Sequence, residues 1–502
     1  MVDSRYKKLK WNSILALFYQ AILILTGLVL PRCFLYFYGS EINGLVTSIT
    51  QFLSFINICD LGISAVVTAA YYTPLAYHDT KQISKIFVYS KRFFRIIGFI
   101  LIAYVGFMLV AYPTLINNSF DFWFTFMLIV AMSISQLGQY FIGISYQLLL
   151  NADQKSYIRL IINGSTLLIN TIISIWLMNI GMSIQVVKLT TSLVYLLRPI
   201  MMFWYVKKHY EIDYAVVIDK SVVKQKKSGI IQHIAYMIYE NTDVMVLTVF
   251  SSLNNVSVYS VYTLATNSIK QIITAATTGA EALFGNMIAR NERCNLQNFY
   301  NFYNWGVHTI SALLFTITGL MIVPFVKLYT LDITDTNYYA PIFAILITFA
   351  YYLGCIRNCN YVLIRSAGHF KQTQIPSLIE AILNIVLSIT FVFNFGLVGV
   401  AIGTIISTLF FVIFEVIYFN KNIVFVPIKC FAKQFMVDLF TIIFTVVIVK
   451  HVYIFDGSIL SWITQAIIST IICFGVTLIN QLAFYYNNVK LLKDKIFNKF
   501  KR

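Results

Sequence analysis

The chain is 502 residues long, 59% of them hydrophobic and only 11% charged, with a net charge of +17. A soluble domain carries about a quarter charged residues, so a soluble enzyme or soluble binding module is excluded and the solvent for most of the chain is lipid. The positive excess fits the cytoplasmic loops of a membrane protein rather than nucleic-acid binding.

A bilayer core about 30 Å thick takes about 20 apolar residues per helix. Runs of that length are predicted at 11–38, 42–70, 93–113, 122–150, 160–178, 185–206, 229–250, 258–289, 304–328, 340–365, 374–394, 397–419, 434–453 and 459–485. The fold class is an all-α integral membrane protein of about fourteen transmembrane helices. The first run follows a basic N-terminus (Arg5, Lys7, Lys8, Lys10) and is too long for a signal-peptide core. Pro31 predicts a kink in it, which leaves the face of Arg32 unassigned. The seven cysteines contain no CxxC pair and fall mostly in apolar runs, so neither a disulfide framework nor a metal site is expected.

The longest interruption is Lys207 to Ser228, with Lys207, Lys208, Lys220, Lys224, Lys226 and Lys227. It divides the chain into an N-terminal six-helix lobe (1–206), a basic cytoplasmic connector (207–228), a C-terminal six-helix lobe (229–420), and a terminal helix pair with a basic tail (421–502). With the N-terminus inside, 30 of the 37 basic residues fall in cytoplasmic stretches. The outer loops hold none, and carry Glu41, Asp121, Asp332, Asp335 and Asp456 instead. This asymmetry places both termini in the cytoplasm and the chain in the cytoplasmic membrane of the cell.

The lobes repeat one plan. Residues 151–206 and 366–420 align at an offset near 215, with Ala152 opposite Ala367, Asn170 opposite Asn384 and Gly181 opposite Gly396. Parallel repeats of six helices imply a pseudo-two-fold along the membrane normal, with a site between the halves.

Charges inside a bilayer cost roughly 2.5–3.5 kcal/mol each on insertion scales and are functional candidates by default. Lys188, Lys327 and Lys450 sit near helix ends and can snorkel. Arg198 admits either reading. Lys270 and Arg357 sit well inside their spans. Around Lys270, the residues Thr263, Asn267, Thr274, Thr277 and Glu281 fall on one face of a continuous helix, as a cavity lining or as glue between helices. Arg357, Tyr361 and Arg365 align at i, i+4 and i+8. The span 229–250 carries His233, Tyr236, Glu240 and Asp243, readable equally as an ion relay or as structural pairs. The span 42–70 shows Thr47, Thr50, Ser54, Asn57, Ser64 and Thr68 near one face with Asp60 alongside, and 122–150 offers Gln136, Gln139, Tyr140, Gly143 and Gln147. The candidate cargo-binding set is thus Lys270, Arg357, Asn267, Thr274, Thr277, Tyr361 and Arg32. Candidates for ion coupling are Glu240, Asp243, Asp60 and Glu281. Cations suit phosphate; hydroxyls, amides and aromatic rings suit sugar.

The segment Tyr38-Gly39-Ser40-Glu41-Ile42-Asn43-Gly44-Leu45, followed by Gln51-Phe52-Leu53 and Asp60-Leu61-Gly62-Ile63, resembles the start of Wzx-type polysaccharide flippases. So does Asn241-Thr242-Asp243 followed by Val258-Tyr259-Ser260-Val261-Tyr262. These flippases belong to the multidrug/oligosaccharidyl-lipid/polysaccharide exporter superfamily. The resemblance covers nearly the whole chain through diffuse motifs. It implies a V-shaped exporter that flips an undecaprenyl-diphosphate-linked oligosaccharide outward by alternating access, for surface polysaccharide biosynthesis in the cell envelope. Lys270 and Arg357 are the counterparts it suggests for a cationic central cavity. By analogy with the related lipid II flippases, the last two helices would help hold the lipid tail.

The expected partners are a lipid-linked oligosaccharide, membrane lipids and other polysaccharide-assembly proteins, with no nucleic acid. No GxxxxGK[ST] motif occurs, so no nucleotide is the direct energy source. No cofactor is expected beyond coupling to a proton or sodium gradient. The protein is read as a transporter and not an enzyme. Three rivals stand: an ion-coupled drug/cation antiporter of the same fold, a membrane polysaccharide polymerase, which would need a sizeable outer loop, and a lipid II flippase proper.

Overall fold

Inside a bilayer every backbone N–H and C=O must find its partner within the chain, which leaves helices or closed barrels. A computed structural model of the protein describes residues 2–60, 63–115, 120–216, 230–277 and 280–500, and among these it contains helices and no strand. Four of the connector's lysines, Lys220, Lys224, Lys226 and Lys227, lie outside the described residues.

Two compact units are formed, Met1–Ser257 and Val258–Arg502. The first contains α1 (Val2–Ser54), a 3-10 turn (Phe55–Asp60), α2 (Ile63–Tyr77), α3 (Thr80–Leu115), α4 (Phe122–Gly138), a π-turn (Gln139–Gly143), α5 (Ile144–Ala152), α6 (Ser156–Asn179), α7 (Ile184–His209) and α8 (Ile230–Phe250). The helix α9 (Leu253–Thr277) crosses the boundary. The second unit continues with α10 (Ala280–Ala289), α11 (Arg293–Tyr329), α12 (Pro341–Ser366), α13 (Phe370–Phe395), α14 (Leu397–Asn422), α15 (Ile428–His451), α16 (Ile459–Phe484) and α17 (Tyr486–Phe500).

Among the described residues, 11 helical stretches are long and apolar enough to cross a membrane, and the chain is a multi-pass membrane protein. The first stretch, Ile14–Asp60, has 47 residues. At 1.5 Å per residue it is about 70 Å long, enough for two passages. It bends at Gly39, where φ is 82°. The non-helical backbone falls there and not at Pro31, which is carried inside the helix. The predicted spans 229–250 and 258–289 correspond to α8 and to α9 with α10, which stand outside the apolar 11. Every predicted span thus has a helical counterpart.

The repeat is visible in the hairpins. In α6–α7 and in α13–α14 the outer turn holds a glycine with positive φ, Gly181 at 77° and Gly396 at 54°. These backbone conformations are open to glycine and strained for residues with a Cβ. About three helical turns inward, Asn170 and Asn384 are both buried. Asn170 donates to the Tyr195 hydroxyl on α7 at 3.3 Å, and Asn384 to the Thr404 hydroxyl on α14 at 3.1 Å. Each buried amide ties the outgoing helix to the returning one, where lipid offers no alternative partner.

The segment around Asn43 shows why its residue types are needed. The Asn43 amide donates to the Ser257 hydroxyl at 2.8 Å. A Cβ added at Gly44 would lie 1.9 Å from the carbonyl oxygen of Leu253. Only glycine admits so close an approach between helices. Leu45, Ile49 and Leu53 follow on the buried side of α1, with Tyr71, Phe87, Leu128 and Leu149 in the same core.

Candidate functional site

The second predicted passage is not one helix. After the 3-10 turn ends at Asp60, α2 begins at Ile63. The Asp60 carboxylate accepts from the Ser64 backbone N–H at 3.3 Å and from its hydroxyl at 2.9 Å. It therefore caps the positive end of a new helix. The fourth predicted passage, 122–150, is interrupted as well: the π-turn Gln139–Gly143 separates α4 from α5. A π-turn widens the helix by one residue and re-aims its side chains. Here the Tyr140 hydroxyl donates to Asn57 Oδ1 at 2.9 Å, and Gln139 donates to Gln147 Oε1 at 3.1 Å.

These two interruptions flank a cavity of about 770 Å³ in the first unit. The broken passage contributes Asn57, Asp60, Ser64 and Thr68, the interrupted helix Gln136, Gln139, Tyr140, Gln147 and Asn151, and α8 contributes His233. Its polar lining is made of amides, hydroxyls, one carboxylate and one imidazole, with no lysine or arginine. The Gln136 carbonyl oxygen and His233 Nε2 are buried there without hydrogen-bond partners, so groups stand ready to receive a ligand. His233 lies within electrostatic reach of Asp60. The sequence shows these residues as separate polar stripes; what it does not show is that two helix breaks turn them towards one space.

The other predicted residues of the first unit lie elsewhere. Arg32 is exposed on α1. On α8, Glu240 is exposed and Asp243 is buried, and neither lines the cavity. Between them Asn241 acts as a clamp: its side-chain oxygen accepts from Gln51 and, at 2.7 Å, from Ser54.

In the second unit the expected polar face over 258–289 falls on α9, described to Thr277, and on α10, described from Ala280, which carries Glu281. Asn267 and Thr274 are exposed, Lys270 and Thr277 half-buried. The Lys270 ammonium lies 5.6 Å from the centroid of the Tyr351 ring, a cation–π distance. Thr274 and Thr277 donate to carbonyls of their own helix, at 2.8 Å and 3.0 Å. Glu281 pairs with Arg365 at 2.9 Å, with both side chains partly exposed.

Arg357 is 5% exposed, and its guanidinium engages Glu380 of α13 bidentately, Nε to Oε1 at 2.7 Å and a terminal nitrogen to Oε2 at 2.6 Å. In this structure Arg357 is therefore paired with a carboxylate that matches its planar fork, where the sequence suggested a cavity cation. Tyr361 stands between two guanidinium groups, 5.8 Å from Arg357 and 5.0 Å from Arg365. A second buried cluster gathers on an acid within an apolar run, whose partners the sequence does not show. Asp438 of α15 accepts from His308 Nδ1 at 2.6 Å, from the Tyr352 hydroxyl at 2.7 Å and from Gln434 at 3.1 Å.

No family model matches the sequence, and no curated protein matches it either. Solved structures do. The lipid II flippase MurJ in an inward closed conformation superposes with a TM-score of 0.69 at 14% identity, covering 95% of this chain and 99% of that one. An inward-facing multidrug resistance MATE family transporter of the MOP superfamily gives 0.59 at 12% identity, covering 80% and 94%. At these identities the likeness is one of fold alone.

Proposed function

We propose that the protein is a flippase that moves a polyprenyl-diphosphate-linked oligosaccharide from the cytoplasmic to the outer leaflet of the cytoplasmic membrane, both termini being cytoplasmic. The observation that carries this reading is the cavity of the first unit. A sugar presents many hydroxyl groups that donate and accept, and its rings pack on aromatic faces. Asn57, Gln136, Gln139, Gln147 and Asn151 supply both donors and acceptors, and Tyr72 and Tyr140 supply rings. A volume of about 770 Å³ is within the range of small-ligand pockets and suits a few sugar rings. The likeness to a lipid II flippase over 95% of the chain supports the same reading.

The diphosphate calls for cations, and Lys270, half-buried on α9, is the residue proposed to meet it, Arg357 being engaged by Glu380. The cargo's use in surface polysaccharide assembly, and its hand-over to other assembly proteins, follow from the sugar-binding reading. A transmembrane ion gradient would drive the cycle.

The test is outward movement of a fluorescent lipid-linked oligosaccharide in vesicles holding the purified protein. Protected label should become accessible to an impermeant quencher, and Gln136→Leu with Gln147→Leu should slow this at least tenfold without loss of folded protein. Ion-driven uptake of a cationic dye with no movement of the lipid would overturn the flippase in favour of a drug antiporter.

A further inference from the structure

One cluster of ionisable side chains in the second unit is buried in its helical core. Arg357 of α12 is held by both oxygens of Glu380 of α13. Its guanidinium carbon also lies 4.7 Å above the ring of Phe411 on α14. Glu415 follows Phe411 by four residues and so lies on the same face of α14, one turn along. Glu415 is 0% exposed, and neither of its carboxyl oxygens has a hydrogen-bond partner.

A carboxylate in this state is physically untenable as an anion. Isolated buried charge costs far more than a buried neutral acid, and the nearby arginine is already satisfied by another carboxylate. Among the described residues, Glu380, Tyr300, Cys359 and Tyr361 also lie within electrostatic reach of Glu415. None is a second cation. The acid that α15 brings to the unit's interior, Asp438, is turned to His308 and Tyr352. No group of three or more metal-ligating side chains is present among the described residues.

We propose that Glu415 is a proton-carrying site: its carboxyl group holds a proton while Arg357 is engaged by Glu380, and gives it up when Arg357 turns to it. Two carboxylates then share one arginine and one proton. When Arg357 swings from α13 to α14, Glu415 releases its proton to solvent or directly to Glu380, and Glu380, left without its cation, takes one up. The cluster stays neutral in both arrangements, so the exchange avoids the penalty of a net buried charge. Two discrete arrangements of a packed arginine constitute the bistable element that a transport cycle requires. The inference does not depend on what the cargo is.

The test is infrared spectroscopy of the full chain in lipid nanodiscs at neutral pH. The wild type should show the carbonyl stretch of a protonated carboxylic acid, shifting in heavy water. Glu415→Gln should remove that band. Glu380→Gln should remove it too, because Arg357 then turns to Glu415 and ionises it. A wild type without the band, or a band that survives Glu415→Gln, overturns the proton site. A band that survives Glu380→Gln overturns the exchange. A wild-type band seen only in sodium-free buffer overturns the proposal in favour of a sodium ligand. The wild-type and sodium measurements decide the main point even where a variant fails to fold.

Discussion

Asp438 offers a sharp test of how the terminal helices are held. It is 0% exposed, as is His308, and three donors from α11, α12 and α15 converge on its carboxylate. Asp438→Leu keeps the volume similar and leaves all three donors without an acceptor. Removing one partner of a buried pair costs about 3–5 kcal/mol, much of it from the groups left behind. Native thiols report the loss. Cys355, Cys359 and Cys473 are buried in the same unit, whereas Cys294 and Cys430 are exposed and react at once. If buried thiols react through local opening, about 3 kcal/mol at about 1.4 kcal/mol per decade speeds their labelling by about 100-fold. His308→Phe combined with Asp438→Leu replaces the pair by apolar groups and should recover at least tenfold of that. Labelling of the three buried cysteines at the wild-type rate in Asp438→Leu would refute the reasoning, because the carboxylate would then be doing nothing to hold α15 in place.

Two further outcomes are expected. Gly44→Ala forces a Cβ to within 1.9 Å of the Leu253 carbonyl oxygen, so the helices must part; overpacking of this kind destabilises by about 1–3 kcal/mol, and a lower thermal midpoint in detergent should show it, while an unchanged midpoint would mean the contact yields freely. On α9, cysteines at the exposed positions Asn267 and Thr274 should react with a membrane-impermeant thiol reagent in a cysteine-free background, and cysteines at the buried Thr266 and Ile273 should not; equal reactivity at all four would remove that face of α9 from any aqueous path.

The passages were legible because the bilayer imposes one length on every apolar run. Their interruptions were not. The run over 42–70 reads as a single apolar stretch, and nothing in its hydropathy marks the 3-10 turn at Phe55–Asp60. The π-turn at Gln139–Gly143 is bracketed by Gly138 and Gly143, a signal that composition alone does not separate from ordinary helix-packing glycines. Pro31 is the expected point of bending, yet the non-helical backbone lies at Gly39, where φ is 82° and no Cβ opposes it. The polar stripes that meet at the cavity were visible one helix at a time. Which charges pair was not: Arg357 and Glu380 are 23 residues apart on different helices, and period and spacing say nothing about partners across a helix interface.

The clamp at Asn241 has a consequence for any attempt to make the chain in two pieces. The natural place to cut is the lysine-rich connector, yet α8, which follows it, is bonded to α1: Thr248 donates to the Ser48 hydroxyl at 2.8 Å and Ser54 to Asn241 at 2.7 Å. A fragment ending in the connector would insert with Ser48, Gln51 and Ser54 turned towards hydrocarbon, where each lost bond costs far more than in water. A cut at Ser251–Ser252, in the short turn between α8 and α9, keeps these bonds within one fragment, though it parts Asn43 from Ser257. Split halves divided at the connector should therefore depend on each other for insertion more strongly than halves divided at that turn.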